Sequence, residues 1–281
     1  MTKTAKRLGA FVLALAGFVA AWELYKFVGQ NTGLPLPVAT DDLTMPHSFD
    51  IARTLLEPVR RGDDQSLAVF LLGSAWFTFR EAAVGFVLGT AIGIGLAVVM
   101  LRWKFLDRGL VPWINISQTV PLIALAPIVV IWARGVSFVS DTNAVSLIAT
   151  YLTFFPVAVN GLAGLKAPDE QAVELMNSYA APWTSVLFKL RFPAARPYLF
   201  PAFKLAATLS VVGAIVGEIS SGVAGGLGRV ILDFAGRYST GPERVYAAVF
   251  AAALLGLFVF SLTLVAERFA LRGEAVEASG V

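Results

Sequence analysis

Apolar runs of about 20 residues, the length that crosses a bilayer, alternate along this chain with short polar clusters. The first run extends from Leu8 to Gly29, behind Lys3, Lys6 and Arg7. It continues through Trp22 and Tyr25 without a small-x-small cleavage site, so it reads as a retained helix rather than a removed signal. Glu23 and Lys26 interrupt its far end and suit an interface. Further runs cover Trp76–Leu101, Leu110–Ala133, Val145–Leu165, Tyr198–Ser220 and Val245–Ala266. Between the first two lies a polar, proline-bearing segment, Gln30–Ser66. Within it Ile51, Leu55, Leu56 and Val59 recur at helical spacing, which predicts a short interfacial helix over Phe49–Val59. The segment Lys166–Arg196 is amphipathic, and Gly222, Gly225, Gly226 and Gly228 form a link to an amphipathic stretch over Arg229–Tyr238. The pattern divides the chain into a first transmembrane helix (1–29), an external loop (30–75), a five-helix core (76–267) with a loop at 166–196, and a tail (268–281).

Composition agrees. Hydrophobic residues make up 57% of the chain, charged ones 15%, and mean hydropathy is +0.73. Soluble domains are about 25% charged, and a soluble fold of this length has too little interior for so much apolar surface. The fold class is therefore all-α and polytopic, with about six transmembrane helices. Lys and Arg concentrate on one side (Lys3, Lys6, Arg7; Arg102, Lys104, Arg108; Lys166, Lys189, Arg191, Arg196; Arg268, Arg272), which places the N- and C-termini inside. Membrane lipid is then the solvent, and nucleic acid is not a partner. There is no cysteine, hence no disulfide or thiolate metal site, and the single histidine, His47, reads as a loop residue. No G-x-x-x-x-G-K-[ST] phosphate loop occurs; Gly161–Lys166 has the wrong spacing. Any ATP and magnesium chemistry belongs to another chain, and this one needs no cofactor or metal and has no catalytic residue.

Polar groups inside the apolar runs are candidates for function. Glu218 is the deep acid. It either faces a solute pathway, as a gate or a pairing group across a dimer axis, or caps a half-helix or pairs with Arg229 or Arg237. Asn115, Gln118 and Thr119 stand beside Pro121, whose missing N–H frees backbone groups that lipid does not tolerate. They line a cavity or join helices. Tyr151 and Asn160 are further pathway candidates. Lys204 snorkels to the inner surface, and Arg80 with Glu81 reads as a local ion pair without function. Gly85, Gly89 and Gly93, at four-residue spacing, form a flat stripe for close helix packing.

The loop before the penultimate run carries the most specific pattern: Glu174-Leu175-Met176-x-x-x-Ala180, nine residues, then Leu190-x-Phe192-Pro193. It resembles the E-A-A-x-x-x-G-x(9)-I-x-L-P motif of permease subunits in binding-protein-dependent ABC importers. Leu175 and Met176 replace the two alanines, and Ala180 replaces the turn glycine, where a left-handed residue would be strained. Val173, Met176, Asn177 and Ala180 share one face of a short helix, and Pro182 and Pro193 bracket a second helix over Trp183–Arg191. Other stretches resemble the nitrate, sulfonate and taurine branch of these permeases: Leu34-Pro35-Leu36-Pro37, Ser117-Gln118-Thr119-Val120-Pro121, Ala124-Leu125-Ala126-Pro127, Phe154-Phe155-Pro156 with Asn160 and Gly161, Gly217-Glu218, and Gly226-Leu227-Gly228. The Ser-Gln-Thr-Val-Pro form is most similar to the vitamin-precursor branch.

The resemblance implies a permease subunit of the bacterial inner membrane. It implies a homodimer, a separate solute-binding protein, and ATP-binding cassette ATPases docked at Glu174, Met176, Asn177, Ala180, Leu190 and Pro193. The solute it implies is a heteroaromatic vitamin precursor of the hydroxymethylpyrimidine or riboflavin type, or else nitrate, a sulfonate or taurine. The absence of a mid-span cation in the proposed pathway favours the neutral solute. The rival reading is a secondary transporter without an ATPase; it calls for an ion site and internal repeats.

Overall fold

The apolar runs fold as helices. A computed structural model describes residues 3–32, 37–59, 64–135 and 141–270. Leu34-Pro35-Leu36, Arg60, Arg61 and the tail from Leu271 lie outside the described residues, as do the side chains of Lys3, Lys6 and Arg7. The helices are α1 (Lys3–Thr32), α2 (Ser48–Thr54), α3 (Leu67–Arg102), α4 (Lys104–Ser117), α5 (Leu122–Arg134), α6 (Asp141–Leu165), α7 (Glu170–Ser178), α8 (Trp183–Val186), α9 (Phe192–Ser221), α10 (Leu227–Ala235) and α11 (Pro242–Ala270). Among the described residues there is no strand, only an isolated bridge between Pro58 and Ser66.

Four described segments have the length and apolarity to cross a membrane: Leu67–Arg102, Asn143–Leu165, Trp183–Ser221 and Pro242–Ala270. At about 1.5 Å per residue α1 is also longer than the apolar core of a bilayer. Three expectations shift in detail. α3 starts at Leu67 rather than Trp76, because the apolar run from Leu67 to Leu72 extends it. Its first free N–H groups donate to carbonyls of the preceding turn, Leu67 N to Glu57 O at 2.8 Å and Ala68 N to Leu55 O at 2.9 Å. The third run is two helices, α4 and α5, bent by 103° across Gln118–Pro121. Each is about 20 Å long, too short to span alone. The helix expected over Trp183–Arg191 does not stop at Pro193. A π-helical turn, Leu187–Arg191, carries α8 directly into α9, with Pro193 in its first turn, where a missing N–H costs nothing.

The chain forms two compact units, Met1–Gly73 with Val230–Ala251, and Ser74–Arg229 with Ala252–Val281. In the second unit α6 is the central helix. The predicted glycine stripe of α3 lies on it: a Cβ at Gly85 would come within 2.3 Å of Ala149 Cβ, one at Gly89 within 2.6 Å of Thr153 Cβ, and one at Gly93 within 2.7 Å of the Phe154 carbonyl. On its other side Gly213 and Gly217 of α9 approach Ala149 and Val145 as closely, at 2.7 and 3.0 Å. Small residues thus bring three helices to backbone contact, where dispersion and not water exclusion must hold them. A cluster of Ala97, Met100, Ile114, Ala158, Leu162, Leu165, Leu187, Ala195 and Leu199 closes one end of this packing.

In the first unit the charged end of α1 anchors the following segment. Trp22 Nε1 donates to Pro46 O at 3.0 Å, and Glu23 Oε1 accepts from Ser48 N and Oγ at 2.7 and 2.6 Å. Lys26, wholly buried, donates to Asp42 Oδ1 and Met45 O, both at 2.6 Å. His47 does lie in a loop. Its Nδ1 is 2.7 Å from Glu23 Oε2, and its ring stacks on Phe49.

Candidate functional site

The 166–196 loop is built to stand out from the protein while rooted in it. α7 ends in a Schellman turn. Ala181 N donates to Met176 O at 3.1 Å and Ala180 N to Asn177 O at 2.8 Å. That turn needs a left-handed residue, and Ala180 supplies it at φ 51°, in place of the usual glycine. Pro182 then starts α8. Leu187 is buried in the core cluster, Leu190 and Pro193 are partly buried, and Phe188 stacks on Phe192. Arg191 Nη1 donates to Leu165 O at 2.7 Å, Lys166 pairs with Asp107 at 2.6 Å, and Arg102 lies 5.7 Å from the Trp183 ring centroid.

No residue of α7 is buried. Its faces differ, however, from the expected arrangement. Val173 and Met176 do share a face, but it is the partly buried one; Leu175 and Tyr179 are exposed, at 58% and 79%, beside exposed Glu174 and Asn177. The i, i+3 spacing identifies the face, but only tertiary packing decides which side it meets.

The α4–α5 break gathers three of the predicted polar residues. Val120 precedes Pro121 and cannot continue the helix. The freed carbonyls are met by side chains: Tyr151 OH donates to Ser117 O, Ser117 Oγ to Ile114 O at 2.7 Å, and Thr119 Oγ1 to Ile116 O at 2.8 Å. Gln118 Nε2 is buried and has no partner among the described residues. Asn115 is exposed one turn earlier. Asn160 does not join this group; its amide donates to Pro156 O at 2.8 Å, within its own helix.

Glu218 forms a separate site with Glu81, for which the sequence suggests only a local ion pair. It is 0% exposed, and its Oε2 accepts from Gly228 N at 2.6 Å, which caps α10. Gly226 packs so closely on the carboxyl group that a Cβ there would fall 2.0 Å from Oε1. Thr78 Oγ1 accepts from Leu227 N at 2.9 Å and holds the same turn. Glu81, 4% exposed, lies with its carboxyl beside that of Glu218. Neither oxygen of Glu81, nor Glu218 Oε1, has an N–H or O–H partner among the described residues. The expected Arg80–Glu81 ion pair is therefore replaced by a carboxyl–carboxyl contact, since neighbours in a helix point about 100° apart. Glu81 also lines a cavity of about 120 Å³ with Phe77, Asn143 and Ser146.

Residues 89–272 match the family of binding-protein-dependent transport system inner membrane components. The chain belongs to this family. Relatives agree. The formylaminopyrimidine transport permease of Halalkalibacterium halodurans is 35% identical over 188 residues, 66% of this chain and 70% of its own length. A putative aliphatic sulfonates transport permease of Bacillus subtilis is 26% identical over 259 residues, 92% of this chain and 84% of its own. The riboflavin transport system permease of Chloroflexus aurantiacus is 29% identical over 175 residues, 62% of each. This permease is accordingly a multi-pass translocation subunit of a binding-protein-dependent importer, and the secondary-transporter reading falls.

Proposed function

We propose that two copies of this permease, related by a two-fold axis, form the solute pathway of an importer in a bacterial inner membrane. Both termini face the cytoplasm. A solute-binding protein delivers to the outer face, and two ATP-binding cassette subunits, which hold the ATP and magnesium, dock on the 166–196 loops. The observation that carries this reading is the standing of α7: without a fully buried residue, with Leu175 and Tyr179 exposed as an apolar i, i+4 pair, yet joined through Leu187 to the core. Exposed apolar surface of this kind marks a contact with protein or membrane, and the rooting of α7 suits it to act as a lever. Glu174, Asn177 and the Ala180 corner complete the contact, with Met176, Leu190 and Pro193 supporting it from behind.

Asn115, Gln118, Thr119 and Tyr151 line the pathway at the α4–α5 break, where freed backbone is tolerable only beside protein or water. Asn160 lies farther along α6. Glu218, with Glu81, closes the outer end. The solute is a heteroaromatic vitamin precursor of the aminopyrimidine type, a reading supported by the formylaminopyrimidine relative and by a break lined with amides and hydroxyls rather than cations.

The test is co-purification with a co-expressed ATP-binding cassette ATPase from the same organism, comparing wild type, Leu175→Asp and Met176→Asp. Wild type retains the ATPase and Leu175→Asp loses it while inserting normally. Met176→Asp lowers thermal stability first. An ATPase that never binds wild type overturns the reading.

A further inference from the structure

A second site lies where α3 turns into α4, beside the root of α7. A cavity of about 460 Å³ opens there, lined by four cations, Lys104, Arg108, Lys166 and Arg191, against two carboxylates, Asp107 and Glu170. Asp107 is taken by Lys166 at 2.6 Å, and one arm of Arg191 by the Leu165 carbonyl. Lys104 and Arg108 have no hydrogen bond or ion pair with any described residue. They stand one turn apart on the same face of α4, a like-charge spacing that mildly destabilises a helix. Met100 and Leu101 supply an apolar wall to the same cavity. Trp103 and Phe105 beside it are 54% and 85% exposed, as aromatic residues are at the level of lipid headgroups.

A free anion would need only the cations. The apolar wall and the flanking aromatic belt fit an anion that carries a hydrocarbon body. We propose that this cavity binds the phosphodiester headgroup of an anionic membrane lipid, with Lys104 and Arg108 as its principal ligands. Arg191 completes the cradle. Basic pockets between helices on the cytoplasmic side are suited to such headgroups. Bound there, the lipid ties the α3–α4 corner to the π-helical turn Leu187–Arg191 through Arg191. The inference rests on the inward placement of this corner and not on ATPase docking.

The experiment is native mass spectrometry of the delipidated full-length chain, titrated with phosphatidylglycerol or phosphatidylcholine. Wild type prefers phosphatidylglycerol. Lys104→Gln and Arg108→Gln each weaken that lipid about fivefold, and the double variant about 25-fold, as expected for roughly one surface charge apiece. Arg268→Gln, an exposed cation elsewhere, leaves binding unchanged. Equal binding of both lipids, full binding by the double variant, or an equal loss in Arg268→Gln overturns the proposal. Inorganic phosphate and glycerophosphate are titrated in parallel. If either binds as tightly as the lipid, the site takes free phosphate and the lipid assignment fails. The assignment also fails if the double variant loses the ATPase while keeping the lipid, because the cavity is then a protein contact.

Discussion

α6 and α7 follow one another in the chain and are opposites. α6 has 61% of its apolar window buried, and it receives backbone from both neighbours through Gly85, Gly89, Gly93, Gly213 and Gly217. α7 has no buried residue and leaves Leu175 and Tyr179 in the open. In α6 the chain has removed side chains so that helices touch, which leaves nothing free to slide. In α7 it has kept apolar side chains without a neighbour to cover them, as the proposed docking helix would. α11 shows that exposure alone is not the signal: its apolar window is 11% buried, but it is apolar on every side, as a lipid-facing span is.

The comparison can be broken most severely at the α3–α6 seam. Gly89→Leu overfills a place where even a Cβ falls 2.6 Å from Thr153. A loss of at least about 3 kcal/mol is expected, the upper end for overpacked cores, read as lost insertion or a fall in melting temperature. Gly95→Leu, on the same helix but facing open space, stays within about 0.5 kcal/mol of wild type. On α7 the reverse pattern is expected. Tyr179→Ala leaves stability unchanged but weakens ATPase retention about 30-fold, the scale of an interface hot spot.

The carboxyl pair separates packing from hydrogen bonding. Glu81→Gln places an N–H donor against Glu218 Oε1 and keeps or raises thermal stability. Glu81→Ala supplies no such donor, so Glu218 Oε1 stays unmatched and thermal stability does not rise. Ala180→Gly relieves the left-handed strain at the end of α7 and adds about 1 kcal/mol, visible in a chemical melt. The smallest effect is a pH dependence in the loop after α1. The hydrogen bond from Lys26 holds the Asp42 carboxyl below the ordinary aspartate range. A depressed carboxyl stabilises above its unfolded value and loses that contribution as pH falls through its lower folded value. The acid limb of a stability–pH profile therefore flattens in Asp42→Asn.

Much of this was legible in the sequence. The apolar runs gave the helices, and the four-residue glycine spacing gave the seam against α6. The Glu174–Pro193 spacing gave the loop, and even the strain at Ala180 was foreseeable from the missing glycine. What failed did so for identifiable reasons. Pro193 suggests a helix end, but a π-turn places it in a first turn, where proline fits. The apolar run Leu110–Ala133 suggests one span, yet it bends by 103°, and one carbonyl freed there is met by Tyr151, 34 residues from Ser117. Glu81 was paired with its neighbour Arg80, although it sits four residues before Gly85 and so continues the Glu81, Gly85, Gly89, Gly93 stripe. That register was the available signal that it is buried.

The central claim is that α7 meets an ATPase through its Leu175–Tyr179 side. Because the chain has no cysteine, single cysteines can be placed at 173, 175, 176 and 179 and fitted with a photo-crosslinker in membranes that also contain the ATPase. The account predicts crosslinks to the ATPase from 175 and 179, and none from 173 or 176. Crosslinks from 173 and 176 instead, or from no position, would contradict it.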